Sequence, residues 1–210
     1  SIHGYAIAAH ADVRRMLMTM KADTFAARAI ALACATAIDM TTATDAADWK
    51  ARAALLTPIA KAFGTDTGVA VANLGIQVHG GMGFVEETGA AQYLRDVRVT
   101  TIYEGTNGIQ AMDLVGRKMM DGGEAAFRLL DEIEANAEEA RTKHAALAEP
   151  VWQTSETLRE AVEWLVGQSD TDERAAGAVP FLHAFARLLG AHFHLRAAMA
   201  EPGSPRETLA

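Results

Sequence analysis

The 210-residue chain is poor in several residue types that would point to common structural devices. Its one cysteine, Cys34, excludes an intrachain disulfide, and the setting Ala-Leu-Ala-Cys-Ala suits a packed core thiol better than a reactive one. Aromatic residues make up only 6% and prolines number five. With alanine abundant, such a chain favours helix, because Ala loses no side-chain entropy there. No uninterrupted apolar run approaches the ~18 residues of a membrane span, so none is expected. Positive charge is in deficit, with 19 Lys and Arg against 27 Asp and Glu and a net charge of -8. Without a basic face, nucleic acid is not an expected partner, and an anionic coenzyme would have to be held by local donors. The Gly-Lys-Ser/Thr of a P-loop, a strand leading into G-x-G-x-x-G, and any arguable Ser-His-Asp or Cys-His set are also missing. No basic region precedes an apolar core at Ser1–Ile7, so no signal peptide is expected and the expected location is cytoplasmic. The lack of an initiator Met leads to the expectation of a piece of a longer protein.

What is present is helical periodicity. In residues 11–40, Val13, Met16, Leu17, Met20, Ala27, Ala31, Cys34 and Ile38 recur at helical spacings, with Asp12 as N-cap. Residues 41–48 read as a polar connector. A second helix is predicted to run to Val78, with Leu55, Ile59, Ala62, Phe63, Ala70 and Leu74 on one side and Pro58 as a start or a kink. The glycines of Gln77-Val78-His79-Gly80-Gly81-Met82-Gly83-Phe84 are predicted to end that helix in a bare-backbone loop. A short helix follows at about 87–96, and the β-branched Val99–Tyr103 disfavours its continuation. Glu104-Gly105-Thr106-Asn107-Gly108 then opens into a helix over 109–120, which Gly122-Gly123 breaks. The remainder reads as helices over 124–147, 151–168 and 173–200. Phe127, Leu130, Ile133, Ala137, Trp152, Leu158, Val162, Leu165, Val179, Leu182, Phe185, Leu189, His192 and Leu195 face inward there. Pro180 kinks or starts the last helix, and Pro202 and Pro205 mark a frayed end. No stretch makes a convincing strand.

Two places could carry chemistry. A Gly-Gly-x-Gly loop before a helix lets backbone amides approach a phosphate, but it also serves as a plain helix stop that binds nothing. Glu104, between Tyr103 and Gly105, could reach into an apolar cavity. If Ile102, Tyr103 and a ligand excluded water there, burial would favour its protonated form and suit it to abstract a proton α to a carbonyl. The ordinary alternative is an acidic residue near a helix N-terminus. His79 could donate to a ligand or make a loop hydrogen bond. His192 and His194, two apart on a helix, face different ways and suit surface or satisfied core positions rather than a shared metal. Arg95, Asp96 and Arg98 read as a small structural ion-pair cluster.

Taken together and in order, Gln77-Val-His-Gly-Gly-Met-Gly-Phe84, Tyr93-Leu-Arg-Asp96 and Ile102-Tyr-Glu-Gly-Thr-Asn-Gly-Ile-Gln110 resemble the C-terminal helical domain of the acyl-CoA dehydrogenase family. Ile59–Phe63 and Met16–Lys21 resemble helices of the same family. Residues 121–210 resemble the helical extension of longer bacterial members, such as those related to methylthiopropionyl-CoA dehydrogenase. The resemblance implies an all-α helical bundle over 1–120 with a helical C-terminal extension over 121–210. It implies FAD as cofactor, an acyl-CoA thioester as substrate and an electron-transfer flavoprotein as electron acceptor. It also implies a homodimer or homotetramer. By the same resemblance Glu104 is the catalytic base, and Gly105 lies beside the thioester. Thr106, Asn107, Gly108 and Gln110 then contact FAD, and Gln77, Val78, His79, Gly80 and Gly81 contact the FAD of a neighbouring subunit. The family's N-terminal helical and middle β-barrel domains are not within these residues, so this chain alone is expected neither to hold FAD stably nor to turn over. A non-catalytic helical interaction module and an acyl-CoA oxidase are the alternatives. The Tyr-Glu-Gly-Thr sequence argues against the first, and the second keeps the same base.

Overall fold

Residues 11–44 wind into one helix, longer than the connector at 41–48 had suggested, because its threonines turn back on the helix. Thr41 Oγ1 donates to the Ala37 carbonyl at 2.8 Å and Thr44 Oγ1 to that of Met40 at 2.6 Å, so both hydroxyls donate within the helix. The computed structural model describes Gly4 and residues 6–201; the expectation at Pro202 and Pro205 lies outside them. Helix α1 (Ala11–Thr44) stops at Asp45, in the left-handed region at φ 51°, and α2 (Ala47–His79) begins two residues later. Pro58 does not start a helix: it sits buried inside α2.

Beyond Gly80 come a single turn, α3 (Gly81–Phe84), and α4 (Ala90–Arg98), which continues as a 3-10 turn over Val99–Thr101. After an irregular loop, α5 (Asn107–Asp113) passes into a π-helical turn, Leu114–Lys118, so the helix expected over 109–120 changes its winding halfway. The wider turn brings Ala111, Leu114, Val115 and Met119 all into the core.

Helix α6 (Glu124–Gly167) is a hairpin rather than a rod, since His144 leaves helical geometry at φ -131°, ψ 42°. Arg159 on the second arm reaches Asp131 at 2.7 Å and Glu134 at 2.8 Å on the first. A Cβ on Gly123, at the start of the first arm, would lie 2.8 Å from Val162 near the end of the second, so the arms run antiparallel. The break thus falls ahead of the one expected near Pro150, which stands early in the second arm. A short α7 (Thr171–Ala176) is capped by Asp170, which accepts from the Asp172 and Glu173 amides. It leads to α8 (Ala178–Ala200), where Pro180 occupies the first turn, a position whose N–H has no intrahelical partner.

Among the described residues there is no strand, and the chain is an all-α helical bundle. α1 and α2 pair along their length, and α8 packs on α1, α2 and the α6 hairpin. One continuous core joins Ile30, Leu55, Ile59, Leu130, Phe185 and Leu189. Each of these buried side chains contributes about 1.5–3 kcal/mol relative to exposure. Cys34, 7% exposed, belongs to it as expected.

Several inward assignments require correction. Leu17, Ala31 and Ile38 on α1, Ala70 on α2 and Val179 on α8 are exposed, while Ala26, Ile30 and Ala37 are buried. Residues spaced by three, four and seven can be traced in two adjacent phases on an alanine-rich helix, and the packing against α2 and α8 selects the other one. No unbroken apolar run of membrane-span length is present, as the sequence indicated. By length and composition alone α1 is nevertheless apolar enough to cross a membrane. Scattered charges hide this from a search for unbroken apolar runs. Here α1 is a packed helix of the bundle, with Met16, Ala26, Ile30, Cys34 and Ala37 buried.

Candidate functional site

The loop between α4 and α5 is held in an uncommon backbone conformation. Glu104 has φ 60° and Gly105 φ 83°, two left-handed residues in succession. For glutamate this conformation is strained, and it persists only where surrounding contacts determine it. Those contacts are present. Gln110 Nε2 donates to the Glu104 carbonyl at 3.2 Å, and Lys61 Nζ to the Gly105 carbonyl at 2.8 Å. Position 105 favours glycine by the sign of its φ, and a Cβ there would also stand 3.1 Å from the Gln110 amide, which would have to shift slightly. Thr106 is the N-cap of α5, its Oγ1 accepting from the Ile109 amide at 3.3 Å.

Asn107 fastens the loop to α2. Its Nδ2 donates to Asp66 Oδ1 at 2.7 Å, with the Ala62 carbonyl at 3.2 Å, and its Oδ1 accepts from Lys61 Nζ at 2.8 Å. Thr65 Oγ1 lies 3.0 Å from Nδ2 and 3.1 Å from Oδ1. The Asn107 side chain is therefore turned inward, and only its backbone remains for a ligand. Gln110 is likewise occupied, bracing Glu104. Gly108 is exposed beside them.

Glu104 itself is exposed, and so are its apolar neighbours Ile102 (52%) and Tyr103 (53%). The water-excluding walls considered for this carboxylate are thus not supplied by the described residues. They would have to come from a ligand or another polypeptide surface.

The second set stands elsewhere. At about 1.5 Å per residue, α2 carries Gln77 roughly 17 Å beyond Asp66. Gln77 and His79 are exposed and Val78 is half-buried in the last turn of α2, where His79 Nδ1 is 2.7 Å from the Gly75 carbonyl. The glycines do not form the bare loop expected. Gly80 reverses the chain at φ 61° and Gly81 starts the single turn of α3. Gly83 is required by packing, since a Cβ there would meet the Ile76 carbonyl oxygen at 2.3 Å. Added Cβ atoms at Gly80 and Gly81 would meet nothing within 4 Å, so backbone there is open to an approaching group. A groove of about 470 Å³ between α1, α2 and α4, lined by Met20, Gly68, Gly75 and Tyr93, touches this set only at His79. The two sets are therefore not brought together around one cavity.

The other candidates resolve into structural roles. Arg95 pairs with Glu86 at 3.1 Å, Asp96 accepts from Gln92 at 2.6 Å, and Arg98 bonds Thr101, so Arg95, Asp96 and Arg98 do not form a cluster. His194 is buried against Phe25, its Nε2 3.2 Å from the Ala22 carbonyl. His192 is buried too, its Nδ1 without a partner among the described residues. Lys61, Thr65, Asp66 and His183, whose Nε2 is 3.2 Å from Asp66 Oδ2, were missed by the sequence reading. The available signal was a lysine, a threonine and an aspartate at i, i+4 and i+5 beside the apolar Ile59, Ala62 and Phe63.

Comparison with known proteins identifies the family. Residues 2–120 match the acyl-CoA dehydrogenase C-terminal domain, and residues 129–204 match an "Acetyl-CoA dehydrogenase C-terminal like" region. The chain is 43% identical over 183 residues to the 3-methylmercaptopropionyl-CoA dehydrogenase of Ruegeria pomeroyi, covering 82% of this chain and 31% of that protein. It is 38% identical over 129 residues to a butyryl-CoA dehydrogenase of Syntrophomonas wolfei, covering 59% of this chain and 21% of the relative. The chain thus spans a third or less of the length of these relatives. The crystal structure of Caenorhabditis elegans ACDH-11 in complex with C11-CoA shares the fold. Its TM-score is 0.78 at 22% identity, over 93% of this chain and 34% of that one. By its match over residues 2–120 and by its relatives, the chain belongs to the acyl-CoA dehydrogenase family.

Proposed function

We propose that the chain is the base-bearing C-terminal portion of an FAD-dependent enzyme that dehydrogenates the Cα–Cβ bond of an acyl-CoA thioester, with Glu104 as the catalytic base. The division into a bundle domain over 1–120 and an extension over 121–210 belongs to the same proposal. One observation carries the reading. An exposed carboxylate sits in a left-handed conformation on a loop whose carbonyls and Asn107 side chain are tied to α2 and Gln110, leaving the acid group uncommitted. A residue serving only packing would have no reason to hold that conformation.

The chemistry follows from those positions. The Glu104 carboxylate accepts the α-proton of the thioester, whose carbonyl makes that proton acidic. Gly105, with no side chain, lets the loop backbone lie against the thioester. Bound FAD would supply the acceptor for the β-hydrogen, leaving as hydride. The backbone of Thr106, Asn107 and Gly108, together with Gln110, borders its site, and the open backbone at Gly80 and Gly81, with Gln77, Val78 and His79, borders a second one in a neighbouring subunit. The distance between these sets along α2 supports their serving separate flavins. Exposed Met82, Phe84 (81%) and Tyr93 support burial of this end of the bundle in a homodimer or homotetramer. An electron-transfer flavoprotein would reoxidise the enzyme.

The test is Glu104→Gln in a full-length protein carrying this chain. Dehydrogenation should fall by about a hundredfold or more, with the flavin absorbance retained. Turnover near wild type would place the base on another residue. Fast oxidation of the reduced enzyme by oxygen alone would identify an oxidase using the same base.

A further inference from the structure

A continuous line of polar contacts joins the last helix to the loop that carries Glu104. It begins on α8, where His183 Nε2 lies 3.2 Å from Asp66 Oδ2. The other oxygen of Asp66, Oδ1, accepts from Asn107 Nδ2 at 2.7 Å. Asn107 Oδ1 accepts from Lys61 Nζ at 2.8 Å, and the same ammonium donates to the Gly105 carbonyl at 2.8 Å. Gly105 follows Glu104 in the chain. We propose that His183 is a positioning residue for Glu104, acting through Asp66, Asn107 and Lys61, so that the C-terminal extension sets the geometry of the base. The proposal rests on the reading of Glu104 given above.

The chemistry of each link gives the line a direction. Lys61 can only donate and an ionised Asp66 can only accept, so the Asn107 amide between them has one satisfactory orientation. Asp66 is held from opposite sides, one oxygen by Asn107 and the other by His183, which fixes the plane of its carboxylate. Without His183 that plane is free to turn, and the Asn107 amide loses its fixed acceptor. Lys61 then loses the partner that holds its ammonium under Gly105. The consequence falls on Glu104 and Gly105, whose φ values of 60° and 83° depend on outside contacts to persist.

His183 is well placed to serve as the fixed end. Its ring packs edge-on to Phe63 with centroids 6.4 Å apart. One turn along α8, the Arg187 guanidinium stands 6.0 Å from the Phe63 ring centroid and reaches Asp23 of α1 at 3.5 Å. α8 is thus tied to both α1 and α2 around His183. The contact to Asp66 needs only an N–H on Nε2, which both the cation and one neutral tautomer provide, so a neutral donor of similar reach can replace it.

Amide hydrogen exchange on the chain tests this without any assay of activity. In His183→Ala, exchange at Ile109 and Gln110, whose amides donate to Thr106 at the end of the loop, should quicken by about fivefold to tenfold, the effect of losing one net hydrogen bond. Core amides of Ile30 and Leu56 should hold their wild-type rates. His183→Gln, which restores a side-chain N–H donor, should bring the loop back toward wild type. Loop exchange unchanged in His183→Ala would overturn the proposal. So would equal acceleration in loop and core, a failure of His183→Gln to rescue, or a wild-type loop that exchanges as an unfolded chain does. In the full-length enzyme, His183→Ala should lower kcat with KM held, and a change confined to KM would count against positioning. The two readings fail separately. If Glu104→Gln keeps turnover while the loop still responds to His183, the base is misassigned and the mechanical link stands. If Glu104→Gln abolishes turnover while the loop ignores His183, the link is refuted and the base stands.

Discussion

Acidification should destabilise the bundle through one buried imidazole. His192 on α8 is 2% exposed, its ring centroid 5.3 Å from that of Phe193 with the planes tilted by 59°, and its Nδ1 has no partner among the described residues. Burial holds its pKa down to about 4 from the ordinary 6.5; the Glu132 carboxylate opposes that shift, and the Arg196 and Arg52 guanidinium groups add to it. Glu132 is itself held below the usual carboxylate range by the hydrogen bond from Arg52. Between about pH 4 and 6.5 the unfolded chain binds a proton at His192 that the folded chain refuses, so protonation favours unfolding. The stability associated with a neutral His192 is fully present above 6.5 and is lost as pH falls from there to about 4. At 1.36 kcal/mol per pH unit, that interval is worth about 3 kcal/mol at most. Against a net stability on the order of 5–15 kcal/mol for a domain, the loss is large enough to measure. The assay is urea unfolding followed by far-ultraviolet circular dichroism across this range, for wild type and His192→Gln. Glutamine does not titrate, so the stability gap between the two proteins should close by about 3 kcal/mol on going to the acid end. Contributions from Glu132 and other carboxylates cancel in the difference to first order. Parallel curves for the two proteins would refute the argument, because they would mean that His192 takes up its proton in the folded state as readily as in the unfolded one.

Two further outcomes follow from packing. Gly83→Ala should cost roughly 1–3 kcal/mol, because its Cβ would stand 2.3 Å from the Ile76 carbonyl oxygen and 2.9 Å from the His79 Cβ. The effect should centre on residues 81–89, read as faster proteolysis there and a lower Tm, and an unchanged Tm would contradict the tight turn. Phe185→Ala, at a fully buried position in edge contact with Phe181, should cost about 3–5 kcal/mol by the same thermal assay, and a loss below about 1 kcal/mol would mean that the core closes over the gap.

The helices were legible wherever a strong local signal coincided with the eventual packing. The Gly80 stop, the Gly122-Gly123 break and the burial of Leu55, Ile59, Phe63, Leu130 and Ile133 are of this kind. The inward phase of α1 was not, since alanine marks either face equally and only the arrival of α2 and α8 decides which is covered. The bend at His144 had no glycine to announce it, and the nearby Pro150 drew the expected break toward itself. At the candidate site, the order of motifs pointed to Glu104 and Gly105, but not to the wiring beneath them. Asp66 and His183 are separated by more than a hundred positions and become neighbours only through the docking of α8 on α2. Asn107, which the resemblance implied as a FAD contact, spends its side chain holding the loop in place.

The close crossing of α1 and α8 carries a consequence for how the chain is made. A Cβ on Gly190 would lie 2.8 Å from that of Ala26, and His194 reaches the Ala22 carbonyl across 172 positions of sequence. The face of α1 that α8 covers is synthesised long before its cover. At about 5–20 residues per second, roughly ten to thirty seconds separate the two during translation. During that interval the α1–α2 pair, whose contacts are nearer in sequence, can form first, and the remaining apolar stripe must wait in water or be shielded by a chaperone. The last helix thus acts as the closing step of folding, and a ribosome that stalls before Gly190 leaves an aggregation-prone nascent chain.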